Sequence, residues 1–236
     1  MNLPKAILLD LDDTILDSYS DPDAVWLQLC NEFADRLDNV TPDMLFSALG
    51  ESREWFWKDS ERARQGRLDL IKARREIVSA AFVHLGFQSS SIVNEMADRY
   101  TTIREKGVRP FPNAVETLVQ LREAGTNLAL ITNGSAEMQR SKIERFDLAK
   151  HFDHVQVEGE FGIGKPDERA FWHALEILGV AASEAWMVGD NLEWDIQGAQ
   201  QVGIHAIWVD LNGRGLPDTT QIQPDRIIGT LSDLID

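Results

Sequence analysis

An α/β fold built on a parallel β-sheet is the class that this sequence of 236 residues predicts. Short apolar runs recur along the chain, and helical segments separate most of them. Strands that alternate with helices in this way form parallel sheets covered on both faces. Polar residues capable of chemistry stand at the junctions between these strands and helices. Because open α/β sheets bind ligands beyond the carboxyl ends of their strands, these junctions are the predicted functional region.

The individual strands are predicted from apolar runs with polar boundaries. The first run, residues 5–11, breaks off into acidic and hydroxyl residues, which is typical of a buried strand. Five later runs predict further strands: Asn127–Thr132, His154–Val157, Ala185–Gly189, His205–Val209 and Arg226–Ile228. Capping residues and terminal glycines predict helices over residues 113–124, with Asn113 as N-cap, and over residues 167–178 and 193–202. The predicted architecture is a Rossmann-like, doubly wound parallel sheet.

Residues 17–107 interrupt this alternation, because they contain no convincing strand. Several apolar residues recur there at helical spacing: Trp26, Cys30, Phe33 and Leu37. Thr41-Pro42 is typical of a helix start, and residues 68–85 and 91–103 also have helical patterns. We therefore predict a helical cap over residues 17–107, inserted into an α/β core of residues 1–16 and 108–236. The predicted hinges are residues 17–23 and 107–110.

The composition limits the partners and the compartment. A net charge of −16 argues against nucleic acid or an anionic membrane, since both need a basic surface. An anionic substrate would need local positive charge from a metal ion, a lysine or helix N-termini. The chain has one cysteine, Cys30, which we predict to be packed in the core, and an internal disulfide is therefore impossible. We find neither a transmembrane run nor a signal peptide, and the predicted compartment is the cytoplasm.

The first candidate site is Asp10-Leu11-Asp12-Asp13-Thr14, at the end of the first predicted strand. Alternation along an extended chain points Asp10 and Asp12 the same way. Two crowded carboxylates repel each other unless a cation or a shared proton relieves them. A magnesium site that includes a carboxylate nucleophile is one solution.

Three further motifs stand at predicted junctions between strand and helix. They are Thr132-Asn133-Gly134, Gly164-Lys165-Pro166 and the run from Gly189-Asp190-Asn191 to Asp195. Each motif alone is weak evidence for a functional site, but all four motifs in this order are improbable by coincidence.

This set of motifs resembles the haloacid dehalogenase (HAD) superfamily over the whole chain, and the helical insert looks like that family's type 1 cap. Among its subfamilies, the chain is similar to small-metabolite phosphatases and nucleotidases. The stretch Met187-Val-Gly-Asp-Asn-Leu-Glu-Trp-Asp-Ile-Gln-Gly198 is similar to that of sialic-acid-phosphate phosphatases.

The resemblance implies a role for each carboxylate. Asp10 would be the nucleophile and Asp12 the general acid/base. Haloacid dehalogenases proper lack the second aspartate and need no metal, so Asp12 implies phosphoryl transfer instead. Mg²⁺ would be held by Asp10, Asp190 and the main-chain carbonyl of Asp12. Asp195 would orient water or Lys165 rather than bind the metal.

The resemblance also implies the groups that bind substrate. The Thr132 hydroxyl and the Asn133 backbone N–H would hold phosphoryl oxygens, helped by the N-terminus of the following helix. Lys165 would bind phosphate and compensate the acidic cluster. In the cap, Arg53 is a candidate for substrate contact, with a solvated helical face as the alternative. The rings of Trp55, Phe56 and Trp57 cannot share one helical face, so at least one should be exposed or face the core.

The resulting prediction is a Mg²⁺-dependent phosphatase that acts on a small phosphometabolite through an aspartyl-phosphate. Candidate substrates are a sugar phosphate, a sialic-acid phosphate or a nucleoside monophosphate. Two alternatives remain open at this point: a phosphomutase acting on sugar phosphates, and a catalytically silent regulatory protein of the same fold. A metal-free dehalogenase is disfavoured by Asp12.

Overall fold

A computed structural model describes residues 3–18 and 21–235 of the chain. The chain divides into two compact units. The α/β unit comprises residues 1–17 and 109–236, and the helical unit comprises residues 18–108. No helix in the described part of the chain is long and apolar enough to cross a bilayer.

The α/β unit contains a six-stranded parallel sheet. Its strands are β1 (Ala6–Leu9), β4 (Asn127–Thr132), β5 (His154–Val157), β6 (Ala185–Gly189), β7 (His205–Val209) and β8 (Arg226–Ile228). Their order in the sheet is β5-β4-β1-β6-β7-β8, so β1 lies in the centre between β4 and β6. All six predicted strands, and the parallel α/β class, are confirmed.

The centre of the sheet is buried on both faces. Alternate residues of β1 point in opposite directions, and Ala6 and Leu8 pack in a cluster with Phe171 and Met187. All four residues of β1 are fully buried. Burying one leucine side chain contributes about 1.5–3 kcal/mol, so this strand is held firmly in place. The rigid sheet therefore fixes the position of the residues that follow β1.

Helices of the α/β unit connect its strands. They are α6 (Ala114–Glu123), α7 (Ala136–Arg145), α8 (Glu158–Phe161), α9 (Glu168–Leu178) and α10 (Gly198–Gln201). Two details differ from the sequence-based expectation. The helix expected over residues 193–202 begins as a π-helix, Leu192–Gln197, before α10. Asn113 is the N-cap residue of α6, but its backbone is left-handed and its side chain makes no capping bond.

A short antiparallel ribbon flanks the insert in sequence. β2 (Leu16–Asp17) pairs with β3 (Arg109–Pro110), so the two chain segments that lead into and out of the insert are neighbours. An ion pair of 2.8 Å between Arg109 and Asp17 reinforces the ribbon. The predicted hinges overlap this ribbon, and Tyr19 and Ser20 of the first hinge lie outside the described residues.

The helical unit has its own apolar core. It consists of α1 (Pro22–Phe33), α2 (Pro42–Lys58), α3 (Ser60–Leu68), α4 (Leu70–His84) and α5 (Ser90–Gly107). As predicted, α2 begins at Pro42, and Thr41 caps it by accepting a hydrogen bond from the Met44 backbone N–H. Cys30 is fully buried in this core, and burial raises the pKa of its thiol to about 12.

Candidate active site

The loops after the central strands converge on one cavity of about 170 Å³. Its walls belong to the α/β unit alone: Asp10, Asp12, Asp13, Thr132, Asn133, Lys165, Asp190, Asn191, Trp194 and Asp195. Parallel pairing of β1 with β4 and β6 explains the convergence, because their carboxyl ends share one edge of the sheet. Within the α/β unit, the structure thus brings together all the predicted site residues of that unit.

A buried lysine lies between two carboxylates at the centre of the site. Lys165 Nζ is 2.5 Å from Asp10 Oδ1 and 2.6 Å from Asp195 Oδ1. The lysine side chain is 1% exposed, so it has no water to compensate its charge. Burial opposes the ammonium form, but the two carboxylates outweigh burial and raise the pKa of Lys165. The lysine is therefore a fixed positive charge at the centre of the site.

The site nevertheless has an excess of negative charge. Burial, with smaller contributions from the charges of Asp195 and Asp12, raises the pKa of Asp10 to about 7 against the opposing effect of Lys165. Burial, followed by the charge of Asp10, raises the pKa of Asp190 to about 9. Carboxylates in such a cluster need a further cation to remain ionised together.

The donor set fits a hard divalent cation. Asp10, Asp190 and Asp195 each offer a carboxylate oxygen, and these oxygens lie within 4.8 Å of one another. Oxygen donors of this kind suit Mg²⁺, and a divalent charge would relieve the acidic excess described above. Lys165 contacts both Asp10 and Asp195, so all three carboxylates of the group stay candidate ligands.

Two residues of α7, Gln139 and Lys142, hold Asp12 in place. Lys142 Nζ lies 2.8 Å from both carboxylate oxygens of Asp12. Gln139 Nε2 donates to Asp12 Oδ2 at 2.9 Å and to the Thr132 hydroxyl at 2.5 Å. Neither residue was predicted from the sequence. Their spacing of three places them on one face of the helix that follows the Thr132 motif, which was the available signal.

The side chain of Asn133 serves a purpose that was not predicted. Its amide donates to the Lys165 backbone carbonyl at 2.7 Å and accepts from the Lys165 backbone N–H at 2.8 Å. This reciprocal pair fastens the lysine loop to the end of β4. The next helix, α7, begins beside it, capped by Ser135, whose hydroxyl accepts from the Met138 N–H at 3.3 Å.

Asp195 is packed tightly against the end of β6. It accepts a hydrogen bond from the Asn191 N–H at 3.0 Å. A Cβ atom at Gly189 would collide with its carboxyl group, so only glycine leaves room for it. The Asn191 side chain caps the π-helix by accepting from the Glu193 and Trp194 N–H groups. The turn from β6 into the π-helix thereby directs Asp195 toward Lys165.

Arg53 lies in the helical unit, on α2, and pairs with Asp23 at 2.6 Å. Of the three neighbouring aromatic residues, Phe56 is buried, whereas Trp55 and Trp57 are 49% and 39% exposed. The prediction was that at least one of the three rings is exposed or faces the core. Two exposed rings, those of Trp55 and Trp57, are observed.

The site combines a carboxylate cluster with a buried lysine at the carboxyl ends of the strands of a parallel sheet. This combination is typical of a class of hydrolases in which an aspartate follows the first strand. Residues 4–203 match the model of the haloacid dehalogenase-like hydrolases. The chain belongs to this family.

Known proteins that are similar to this chain include phosphatases and a hydrolase with the same fold. A phosphoserine phosphatase of Thermus thermophilus is 44% identical, covering 98% of this chain and 97% of its own. An N-acylneuraminate-9-phosphatase of Rattus norvegicus is 37% identical over 50% of this chain and 47% of its own. The crystal structure of the HAD hydrolase YfnB from Bacillus subtilis has the same fold, with a TM-score of 0.73 and 24% identity over 99% of this chain and 97% of that one. The chain is accordingly an enzyme, a HAD-like phosphoric monoester hydrolase.

Proposed function

We propose that this enzyme is a Mg²⁺-dependent phosphatase that hydrolyses a small phosphometabolite through an aspartyl-phosphate intermediate. The observation that carries the proposal is the shared cavity of Asp10, Asp12, Lys165 and Asp190. The names of the relatives support a small phosphate monoester as substrate, such as phosphoserine or N-acylneuraminate 9-phosphate. We keep sugar phosphates and nucleoside monophosphates as candidates, and the cytoplasm as the predicted compartment.

In the first step, a carboxylate oxygen of Asp10 attacks phosphorus in line and the ester bond breaks. Asp12 gives a proton to the leaving alcohol. In the second step, Asp12 takes a proton from water, and the resulting hydroxide displaces phosphate from Asp10. This use of Asp12 requires a fixed carboxylate, and Lys142 and Gln139 supply that fixation.

Charge neutralisation accounts for the other residues of the cavity. Lys165 and the Thr132 loop would hold the phosphoryl oxygens, helped by the N-terminus of α7, which follows that loop. Asp10, Asp190 and the main-chain carbonyl of Asp12 would hold the ion. When bound, Mg²⁺ reduces the repulsion between the Asp10 carboxylate and the phosphate dianion. Asp195 keeps Lys165 in position through its contact of 2.6 Å.

A substrate screen tests this function. Purified enzyme is incubated with some dozens of phosphate monoesters, phosphoserine among them, with and without Mg²⁺, and released inorganic phosphate is measured. We expect release that depends on Mg²⁺, with no isomerised sugar phosphate; formation of an isomer would instead indicate a phosphomutase.

The Asp10→Asn variant tests the nucleophile in the same screen. We expect it to lose both turnover and covalent trapping of phosphate, because an amide cannot form the acyl phosphate. Asp218→Asn, at an exposed position outside the cavity, is the matched control. Absence of release across the panel, or near-normal turnover by a pure Asp10→Asn preparation, contradicts the proposal.

A further inference from the structure

The helical unit contains a second cavity, of about 590 Å³, formed by its own residues. This volume is in the range of about 300–1,000 Å³ that is typical of sites for small molecules. Three arginines are among the residues that line it, Arg53, Arg74 and Arg104, together with the acidic residues Asp23 and Glu54. The wall therefore carries a net charge of +1, within a chain whose net charge is −16. A locally cationic cavity in so acidic a protein is a candidate anion site.

Arg74 is the exceptional cation of this cavity. Its guanidinium donates to the Thr101 hydroxyl at 3.0 Å, and that hydroxyl in turn donates to the Ala97 carbonyl. Among the described residues, no carboxylate forms an ion pair with Arg74. The next residue, Arg75, differs in this respect, because it pairs with Asp98 at 2.8 Å. Arg53 likewise pairs with Asp23.

The surroundings of Arg74 make an uncompensated charge costly. Its guanidinium lies 5.3 Å from the ring centroid of Tyr100, which is stacked on Trp26 at 3.8 Å. Burial lowers the pKa of Arg74, although arginine remains protonated in proteins. A charge partly removed from water in this way is stabilised when an anion pairs with it. The planar guanidinium suits a carboxylate, which accepts two parallel hydrogen bonds.

We propose that the cavity of the helical unit is a binding site for a small organic carboxylate, with Arg74 as its principal cation. The net charge of +1 matches a monoanion better than a phosphate dianion. The apolar part of the ligand would lie against the side chains of Trp57, Leu70 and Ile77, which also line the cavity. The site involves none of the α/β-unit residues and does not depend on the phosphatase chemistry.

Isothermal titration calorimetry on the full chain tests this site. The probes are monocarboxylates from propionate and L-lactate to benzoate, each compared with its uncharged primary amide, in buffer without added metal. We expect at least one carboxylate to bind about tenfold or more tightly than its amide, because only the carboxylate pairs with Arg74. Inorganic phosphate is the third arm, and we expect weaker binding than for that carboxylate.

Two variants of α4 localise the binding. Arg74→Met should abolish the preference for the carboxylate over its amide, whereas Arg75→Met should retain it within about twofold, because Arg75 is outside the cavity. Circular dichroism shows whether both variants are folded. If Arg74→Met does not fold, the comparison of carboxylate, amide and phosphate on the unmodified chain still decides the question.

The proposal is overturned if no carboxylate of the panel binds, if amide or phosphate binds as tightly, or if folded Arg74→Met binds like the unmodified chain. Asp10→Asn should bind the same carboxylate normally. The titration therefore separates failure of this site from failure of the proposed phosphatase, which is judged by phosphate release alone.

Discussion

Lys165 shows how one residue can serve both stability and chemistry. It is buried at the centre of the sheet edge, where Asp10 and Asp195 contact its ammonium group. Removal of one member from a buried charge cluster leaves the others without compensation, which costs more than the cluster itself contributes. In the proposed mechanism, the same positive charge would bind the phosphoryl oxygens. Loss of this lysine therefore affects folding as well as turnover.

We predict that Lys165→Met lowers the free energy of unfolding by about 3–5 kcal/mol, because Asp10 and Asp195 then remain buried without their cation. Urea unfolding at neutral pH measures the change. Lys150→Met is the control, since Lys150 pairs with Asp147 at the exposed surface. An equal effect of the two substitutions would show that the buried lysine has no special structural role.

At the scale of secondary-structure elements, α7 links two parts of the site. Its residues Gln139 and Lys142 contact Asp12, which is 127 and 130 positions away in the sequence. Gln139 also contacts the Thr132 hydroxyl at the end of β4. The helix therefore couples the proposed general acid/base to the proposed phosphate-binding loop.

We predict that Lys142→Met lowers kcat by about 10- to 100-fold, because a hydrogen bond to a charged group contributes about 1.5–3 kcal/mol. KM should change much less, since Lys142 positions Asp12 and is not among the residues that line the cavity. Steady-state kinetics on the best substrate of the screen measures both constants. Lys150→Met serves again as control, and a pure KM effect would place Lys142 in substrate binding instead.

The junction of β6 with the π-helix allows a comparison of two glycines. We predict that Gly189→Ala destabilises the protein by about 1–3 kcal/mol, because the new methyl group collides with Asp195. Gly50→Ala, within α2, should stabilise it by about 0.5–1 kcal/mol, because beyond the adjacent residues and the local helix backbone no atom lies within 4 Å of the added carbon. Thermal unfolding of both variants gives the comparison, and the idea of a crowded junction is wrong if Gly189→Ala is neutral.

Most of the elements were predictable because their signals are local. Each strand of the sheet is a short apolar run, and α9 has Asp167 before it and Gly179 after it, as expected. The π-helix was not predictable, because Asp195 within it is held by a tertiary contact with Lys165. The ribbon of β2 and β3 is too short to leave a periodic pattern.

The candidate site was predictable to a smaller extent. Four motifs indicated the residues of the cavity because they follow strands of one parallel sheet. The partners of those residues depend on distances in three dimensions. Nothing in the sequence near Asn133 indicates that its side chain binds the Lys165 backbone. For the same reason the cavity around Arg74 could not be inferred from the sequence.

At the scale of the whole molecule, the insert is attached at a single pair of neighbouring segments. Residues 16–17 pair with residues 109–110.

We predict that replacement of residues 18–108 by a short glycine-rich linker yields an α/β unit that still folds. All proposed catalytic residues remain, so weak hydrolysis of an aryl phosphate should persist while selectivity among metabolites is lost. Folding is checked by circular dichroism. A shortened protein that folds and keeps full selectivity contradicts this division of roles.

Cys30 has a practical consequence for experiments in solution. With a pKa of about 12, roughly one thiol in 10⁴ is ionised at pH 8, and the group is fully buried. Maleimide dyes should therefore leave the native chain unlabelled. A cysteine introduced at an exposed position becomes the one reactive handle for fluorophores or spin labels, and no cysteine-free background has to be made first.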